Sequence, residues 1–384
     1  MSRQLVQRIG AREIPWVAQA TGGQDSLDHH LLGALSWIAR AHAVSKDGGV
    51  SKGYHILRRC WFPSYPETTG YTIPTLLNAA TVLGQPHLRG LARSLSEYLL
   101  SAVTSEGGIV HWRSRRRPIV FDTGQAMFGW LAAFDAFGDA RYRDAAVQAG
   151  EWLVSVQGSS GAWERYQYLD VTKVIDTRVA WALLELSRRT GQSSVYRTAA
   201  ERNVAWAVTQ QEKNGWFRRC AFREGEDPFT HTLAYAAEGL LEAGVLLAET
   251  QYVEIARRTA DALLVRQRAD GSLASTYDSA WRPTSRSSCL TGNCQSSRLW
   301  LRLYEQHQHE AYLTAARRAI GFVAGTQNLD DARPNLYGGI AGSNPIHGRY
   351  ERFKYPNWAS KFFVDALLAL KRLESRSDTP VYAG

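Results

Sequence analysis

Glycine recurs along this chain in six short turns, each followed within two residues by an apolar or aromatic residue. They read D-G-G-V at 47–50, G-G-I-V at 107–110, G-A-W at 161–163, N-G-W-F at 214–217, D-G-S-L at 270–273 and G-G-I at 338–340. Their spacing, about 53 to 68 residues, suits a helical-hairpin repeat. Before the later turns run amphipathic stretches such as S-V-Y-R-T-A-A-E-R-N-V-A-W-A-V-T-Q-Q (194–211), with apolar residues three and four apart and a closing Gln. After each turn come roughly 10–18 irregular residues and then a second helix, richer in Ala and Leu.

The second helices open in corresponding ways: P-E-T-T-G-Y, F-D-T-G-Q-A-M, I-D-T-R-V-A-W, T-H-T-L-A-Y, L-T-G-N-C-Q and Y-P-N-W-A-S-K. This alternation predicts an all-α protein, a single (α/α)6 toroid with six outer helices around six inner ones. Residues 27–44 read as an outer helix without its partner, and 357–372 as an inner helix without a successor. Pairing them closes the ring and removes the need for polar end caps; an open solenoid is the alternative. The toroid is expected over 27–373, with an N-terminal extension at 1–26 and a flexible tail at 374–384.

The chain's 384 residues exceed one ordinary domain, and repetition accounts for the excess. Apolar residues make up 45% and charged residues 21%, as in soluble globular proteins with an ample core. No apolar run approaches the roughly 18 residues of a membrane span, and the N-terminus lacks a secretory segment, so a cytoplasmic location is expected. Cys60, Cys220, Cys289 and Cys294 lack the paired spacing of a zinc site and read as reduced thiols. No metal or cofactor is expected. The net charge of +9, densest in R-S-R-R-R at 113–117, suits an anionic partner. No nucleic-acid motif accompanies it, so nucleic acid is not expected as a partner.

Inner-to-outer links are short, as in G-D-A-R-Y (138–142), whereas outer-to-inner links are long. All six inner helices therefore start at one loop-rich face, where unpaired N–H groups and peptide dipoles converge on a central cavity. Glu67 lies in an aromatic loop, C-W-F-P-S-Y-P-E-T-T-G-Y (60–71), whose surroundings disfavour its charged form and suit a proton donor. Asp278, in T-Y-D-S-A-W, is the alternative donor. Asp122 in D-T-G-Q and Asp176 in D-T-R-V have two readings. They are helix N-caps, Gln125 completing a box-like pattern, or ionised carboxylates serving as base or nucleophile.

Tyr65, Tyr277, Tyr355 and His231 are candidate proton carriers, His231 reading equally as a packing residue. Trp61, Trp163, Tyr168 and Trp358 offer rings to the apolar face of a sugar. Gln125, Arg178, Gln295, Asn357 and Lys361 offer hydrogen bonds to its hydroxyls or carboxylate. This mixture of rings, carboxylates and amides suits a polysaccharide or oligosaccharide.

The six-fold pattern, together with D-T-G-Q-A-M-F-G-W-L, Y-P-E-T-T-G-Y and Y-P-N-W-A-S-K-F-F, resembles toroidal proteins of bacterial polysaccharide-biosynthesis gene clusters. More distantly, it looks like the catalytic toroids of uronyl C5-epimerases and unsaturated glucuronyl hydrolases. The resemblance implies a role in making or trimming an exopolysaccharide and assigns no catalytic residue. Triterpene cyclases share a pattern like Q-G-S-S-G-A-W (157–163), but their D-x-D-D donor is missing. The zinc ligands of lanthipeptide cyclases are not recognisable around C-L-T-G-N-C-Q.

Three functions remain in contention. One is a glycoside hydrolase-type site with paired carboxyls, Glu67 or Asp278 as acid and Asp122 or Asp176 as base. Another is uronate epimerisation or elimination, with Tyr or His moving protons and Arg178 or Lys361 near the carboxylate. The third is a glycan-binding scaffold without catalysis.

Overall fold

The structure is a computed structural model describing residues 27–113, 117–191 and 193–377. The expected extension at 1–26, residues 114–116 of the basic run and residues 378–384 of the expected tail lie outside the described residues. Twelve α-helices appear among the described residues. In chain order they are α1 (Leu27–Ala43), α2 (Pro66–Val82), α3 (His87–Ala102), α4 (Val120–Phe137), α5 (Ala140–Ser155) and α6 (Thr177–Thr190). Then follow α7 (Ser193–Val208), α8 (Thr230–Leu247), α9 (Thr250–Val265), α10 (Leu290–His307), α11 (Glu310–Ala324) and α12 (Asn357–Ser377).

The even-numbered helices form the inner ring, each packing on the next, with α12 returning to α2. The odd-numbered helices lie outside them, and α1 packs on α12, so the chain ends close an (α/α)6 toroid as expected. The last helix runs on to Ser377, into what the sequence reads as tail.

The structure explains the glycine repeat. Each turn lies against the next outer helix. A Cβ on Gly271 would sit 2.3 Å from the Arg318 carbonyl oxygen, and one on Gly338 would sit 1.8 Å from that of Gly33 in α1. Both glycines have positive φ, 87° and 78°, a conformation that L side chains resist. The closing glutamines complete the same seam. Gln267 Nε2 donates to the Ala315 carbonyl at 2.9 Å, and Gln327 Nε2 donates to that of His30 at 3.1 Å. The last copy of the repeat thus docks on the first outer helix.

Short strands, absent from the all-α expectation, tie the loop-rich face together. They are β1 (Gly53–His55), β2 (Cys60–Trp61), β3 (Ser288–Cys289), β4 (Ser343–Asn344) and β5 (Lys354–Pro356). One antiparallel sheet has the order β2-β1-β5, with Tyr54 opposite Tyr355; β3 pairs with β4. Asn357 reinforces the closure, its amide donating to the Ser51 carbonyl at 2.9 Å and to Thr68 Oγ1 at 2.8 Å. Among the described residues, no helix is long and apolar enough to cross a membrane.

Candidate active site

A cavity of about 320 Å³ opens at the face where the inner helices begin. Glu67 and Asp122 enter it from the first turns of α2 and α4. Both are buried, and the Tyr65 hydroxyl interacts with each. Burial raises the Glu67 carboxyl to about 7, opposed by the Tyr65 hydrogen bond and the charges of Lys52 and Arg178. Burial, followed by the Glu67 charge, lifts Asp122 well above the usual range, against its own backbone N–H and Tyr65. Two buried carboxyls that influence each other titrate as a unit, and both do not ionise readily together.

Neither aspartate behaves as an N-cap. Asp122 stands two residues inside α4, past the N-cap position held by Ile119, and its carboxyl interacts with its own backbone N–H. Asp176 has the N-cap position but no capping bond; Gln167 Nε2 donates to its Oδ2 at 2.7 Å. Burial raises Asp176 to about 7 against the pull of Lys173, so the expectation of aspartates held ionised by helix ends fails on desolvation. Asp176 lies behind Gln167, Lys173 and Ile175, which line the wall.

Aromatic rings form a closed collar around this cavity. Trp358 meets Tyr65 at 6.3 Å, Tyr65 meets His111 at 5.4 Å, and His111 meets Tyr168 at 5.3 Å. Tyr168 then meets Phe222 at 6.3 Å, Phe222 meets Phe229 at 5.9 Å, and Phe229 meets Tyr350 at 5.2 Å. The circuit closes where the Trp358 indole donates to the Tyr350 hydroxyl at 2.8 Å. Lys52 sits 4.8 Å from the Trp358 ring centroid and pairs with Glu351 at 2.9 Å. Lys173 braces the Tyr168 loop by donating to the Tyr168 and Val171 carbonyls.

His231 enters the same cavity from α8. Its Nδ1 lies 2.7 Å from Gln295 Oε1, which leaves Nε2 with a free lone pair when Nδ1 carries the proton. Burial lowers the imidazole to about 4, so it is neutral at pH 7; burial does the same to His111.

The structure brings together Glu67, Asp122, Tyr65, His231, Tyr168 and Trp358. Others predicted for the site lie elsewhere. Asp278 binds the Ala280 and Arg282 N–H groups and the Arg282 guanidinium in its own turn, outside the cavity and on a groove beside it. Tyr277 is buried, its hydroxyl accepting from Ala274 N–H, and Tyr355 lies on β5. Trp163 is fully buried with its indole on the Leu153 carbonyl, while Trp61 packs against Trp37 and Tyr54. Gln125 and Arg178 are tied between helices beneath the cavity, Lys361 pairs with Asp365 of its own helix, Gln295 supports His231, and Asn357 closes the ring. Cys289 and Cys294 are buried.

The sequence reading missed Lys52, His111, Trp112, Tyr71, Tyr235 and Tyr350. Two carried a signal: Tyr71 and Tyr235 stand one helical turn after Glu67 and His231, on the same inward faces.

Solved structures share this architecture. An unsaturated glucuronyl hydrolase specific for heparin is 14% identical over 92% of this chain and 99% of its own, with a TM-score of 0.75. The unsaturated glucuronyl hydrolase of Bacillus sp. GL1, responsible for glycosaminoglycan degradation, is 16% identical over 90% and 97%, with a TM-score of 0.72. Cellobiose 2-epimerase from Bacillus thermoamylovorans B4167 is 13% identical over 90% and 99%, with a TM-score of 0.70. The chain therefore has the six-hairpin toroid fold of these enzymes. No protein-family model matches it, and no curated protein does.

Proposed function

We propose that this protein is a carbohydrate-active enzyme of the glycoside hydrolase type, acting on an oligosaccharide or polysaccharide with Glu67 and Asp122 as its paired carboxyls. The observation carrying this reading is the pair itself: two buried carboxyls meeting one tyrosine hydroxyl inside an aromatic collar. Glycoside cleavage needs one carboxyl protonated to donate to the leaving oxygen and another ionised at the anomeric side. One member of the pair holds the proton as donor while the other serves as base or nucleophile, the two titrating as a unit.

The rings suit the apolar face of a sugar, and the neighbours named for glucuronyl hydrolysis and cellobiose epimerisation support a saccharide. Arg223 lines the cavity and favours an acidic chain, whereas Lys52 and Arg349 there are paired with Glu351 and Glu226. A groove of about 460 Å³ shares Arg223 and Glu226 with the cavity and gives such a chain room to continue. The resemblance to polysaccharide-cluster proteins is the ground for placing the activity in exopolysaccharide synthesis.

Release of reducing ends from candidate acidic glycans tests this reading. Wild type should release them, and Glu67→Gln and Asp122→Asn should each abolish release. Full activity in both variants would sink the assignment.

His231 and His111 support a second reading, epimerisation or elimination. Both line the cavity as neutral imidazoles, the form with a nitrogen lone pair open to a proton. Solvent deuterium appearing at a sugar carbon, lost in His231→Gln, would favour it over hydrolysis.

A further inference from the structure

Among the described residues, ten that are not glycine have positive φ, and three of them stand within five positions of one loop before α6. They are Tyr166 at 60°, Leu169 at 61° and Asp170 at 55°. L side chains resist this conformation, which persists only where the surroundings impose it. Here they do. The Tyr166 carbonyl accepts from Val120 N–H at 2.9 Å, at the start of the helix that carries Asp122. Gln167 is buried and donates to Asp176 at 2.7 Å. Lys173, 1% exposed, turns its ammonium back under the loop and donates to the Tyr168 and Val171 carbonyls. It feels the charges of Asp176 and Asp170, and Asp170 pairs in turn with Arg117 at 2.7 Å.

The loop held in this way presents apolar surface. Tyr168 and Leu169 are each 38% exposed, the one adjacent pair among the exposed large apolar side chains of the described residues. Both line the cavity, and the Tyr168 ring stands between His111 and Phe222 in the collar. Folding by itself favours burying such side chains. A strained backbone that instead holds two of them out at the mouth of a cavity points to a ligand that covers them.

We propose that Tyr168 and Leu169 form a preorganised platform for the apolar face of one pyranose ring of the glycan. Lys173 is the positioning residue of this platform: it touches no sugar and acts by fixing the two carbonyls between which the apolar pair is displayed. The platform rests on the cavity being a saccharide site, as proposed above, and is independent of the chemistry performed there.

The experiment pairs calorimetric titration of the full chain with hydrogen exchange read by mass spectrometry. The probes are a heparin tetrasaccharide and cellotetraose, one acidic and one neutral. Wild type should bind at least one of them. Leu169→Asp should weaken that binding roughly tenfold, with the melting temperature unchanged. Lys173→Met should speed exchange in peptides covering 165–172 and weaken binding by a similar factor, because the platform must then be ordered on binding. Lys371→Ala, an exposed pair with Asp28, should alter neither reading. Wild-type affinity in Leu169→Asp overturns the proposal, as does a Lys173→Met loop that loosens without loss of affinity, or a wild type that binds neither probe. Should Lys173→Met fail to fold by circular dichroism, the surface change Leu169→Asp decides alone. Binding that falls as expected, in a protein that releases no reducing ends, would uphold the platform and discard the hydrolase reading.

Discussion

Glu67 and Asp122 face one cavity from the first turns of neighbouring inner helices, and both meet the Tyr65 hydroxyl. Tyr65→Phe keeps the ring in the collar and removes the shared hydrogen bond, which opposes the upward shift of both carboxyls. Activity in Tyr65→Phe should fall roughly 10²-fold, with its acid limb displaced to higher pH. Steady-state rates across pH check this; an unmoved limb would show that the hydroxyl does not hold the pair.

The same burial predicts a pH effect on stability. Glu67 binds its proton more tightly in the folded protein than in the unfolded chain, with a folded value of about 7. Its contribution is therefore fully present below the unfolded value near 4.5 and is lost as pH rises toward 7. His231 works in the opposite sense, because its lowered value takes stability away as pH falls from about 6.5 toward about 4. Glu67→Gln should flatten the decline between pH 4.5 and 7, a difference on the order of 1–3 kcal/mol. Urea unfolding at a series of pH values measures it.

Gly271 carries a seam of the repeat. With φ at 87° and the Arg318 carbonyl 2.3 Å from any added Cβ, Gly271→Ala must strain its turn or push the outer helices apart. Equilibrium unfolding should show a loss of roughly 2–4 kcal/mol. A loss under about 0.5 kcal/mol would mean that the seam is loose.

Two tryptophans separate packing from recognition. Trp163 is fully buried, whereas Trp112 lines the cavity. Trp163→Ala should cost about 3–5 kcal/mol of stability with KM unchanged. Trp112→Ala should raise KM roughly 3- to 10-fold, with little change in melting temperature. Interchanged outcomes would place the sugar-contacting surface elsewhere.

The repeat made the toroid legible because its glycines and closing glutamines answer to one geometric demand, close backbone approach between successive outer helices. The loop-rich face was legible for the same reason: each inner helix begins after a long link. Single side chains were harder to place. Asp122 looked like a cap because the start of α4 cannot be placed to within two residues from its pattern, and two residues separate a cap from a cavity wall. Tyr277, Asp278 and Trp163 lie in the right loops but turn to bonds within their own repeats. Lys52 and Tyr350 come from the two ends of the chain and meet only when the ring closes, a contact no local pattern announces.

The central claim is that Glu67 and Asp122 hold one proton between them near neutral pH and use it on a glycosidic bond. The pH dependence of kcat/KM on a glycan the protein cleaves tests this most directly. The account predicts a bell with its acid limb near pH 7, both limbs belonging to the coupled carboxyl pair. A profile flat from about pH 5 to 9, or one unchanged in Glu67→Gln, would contradict it.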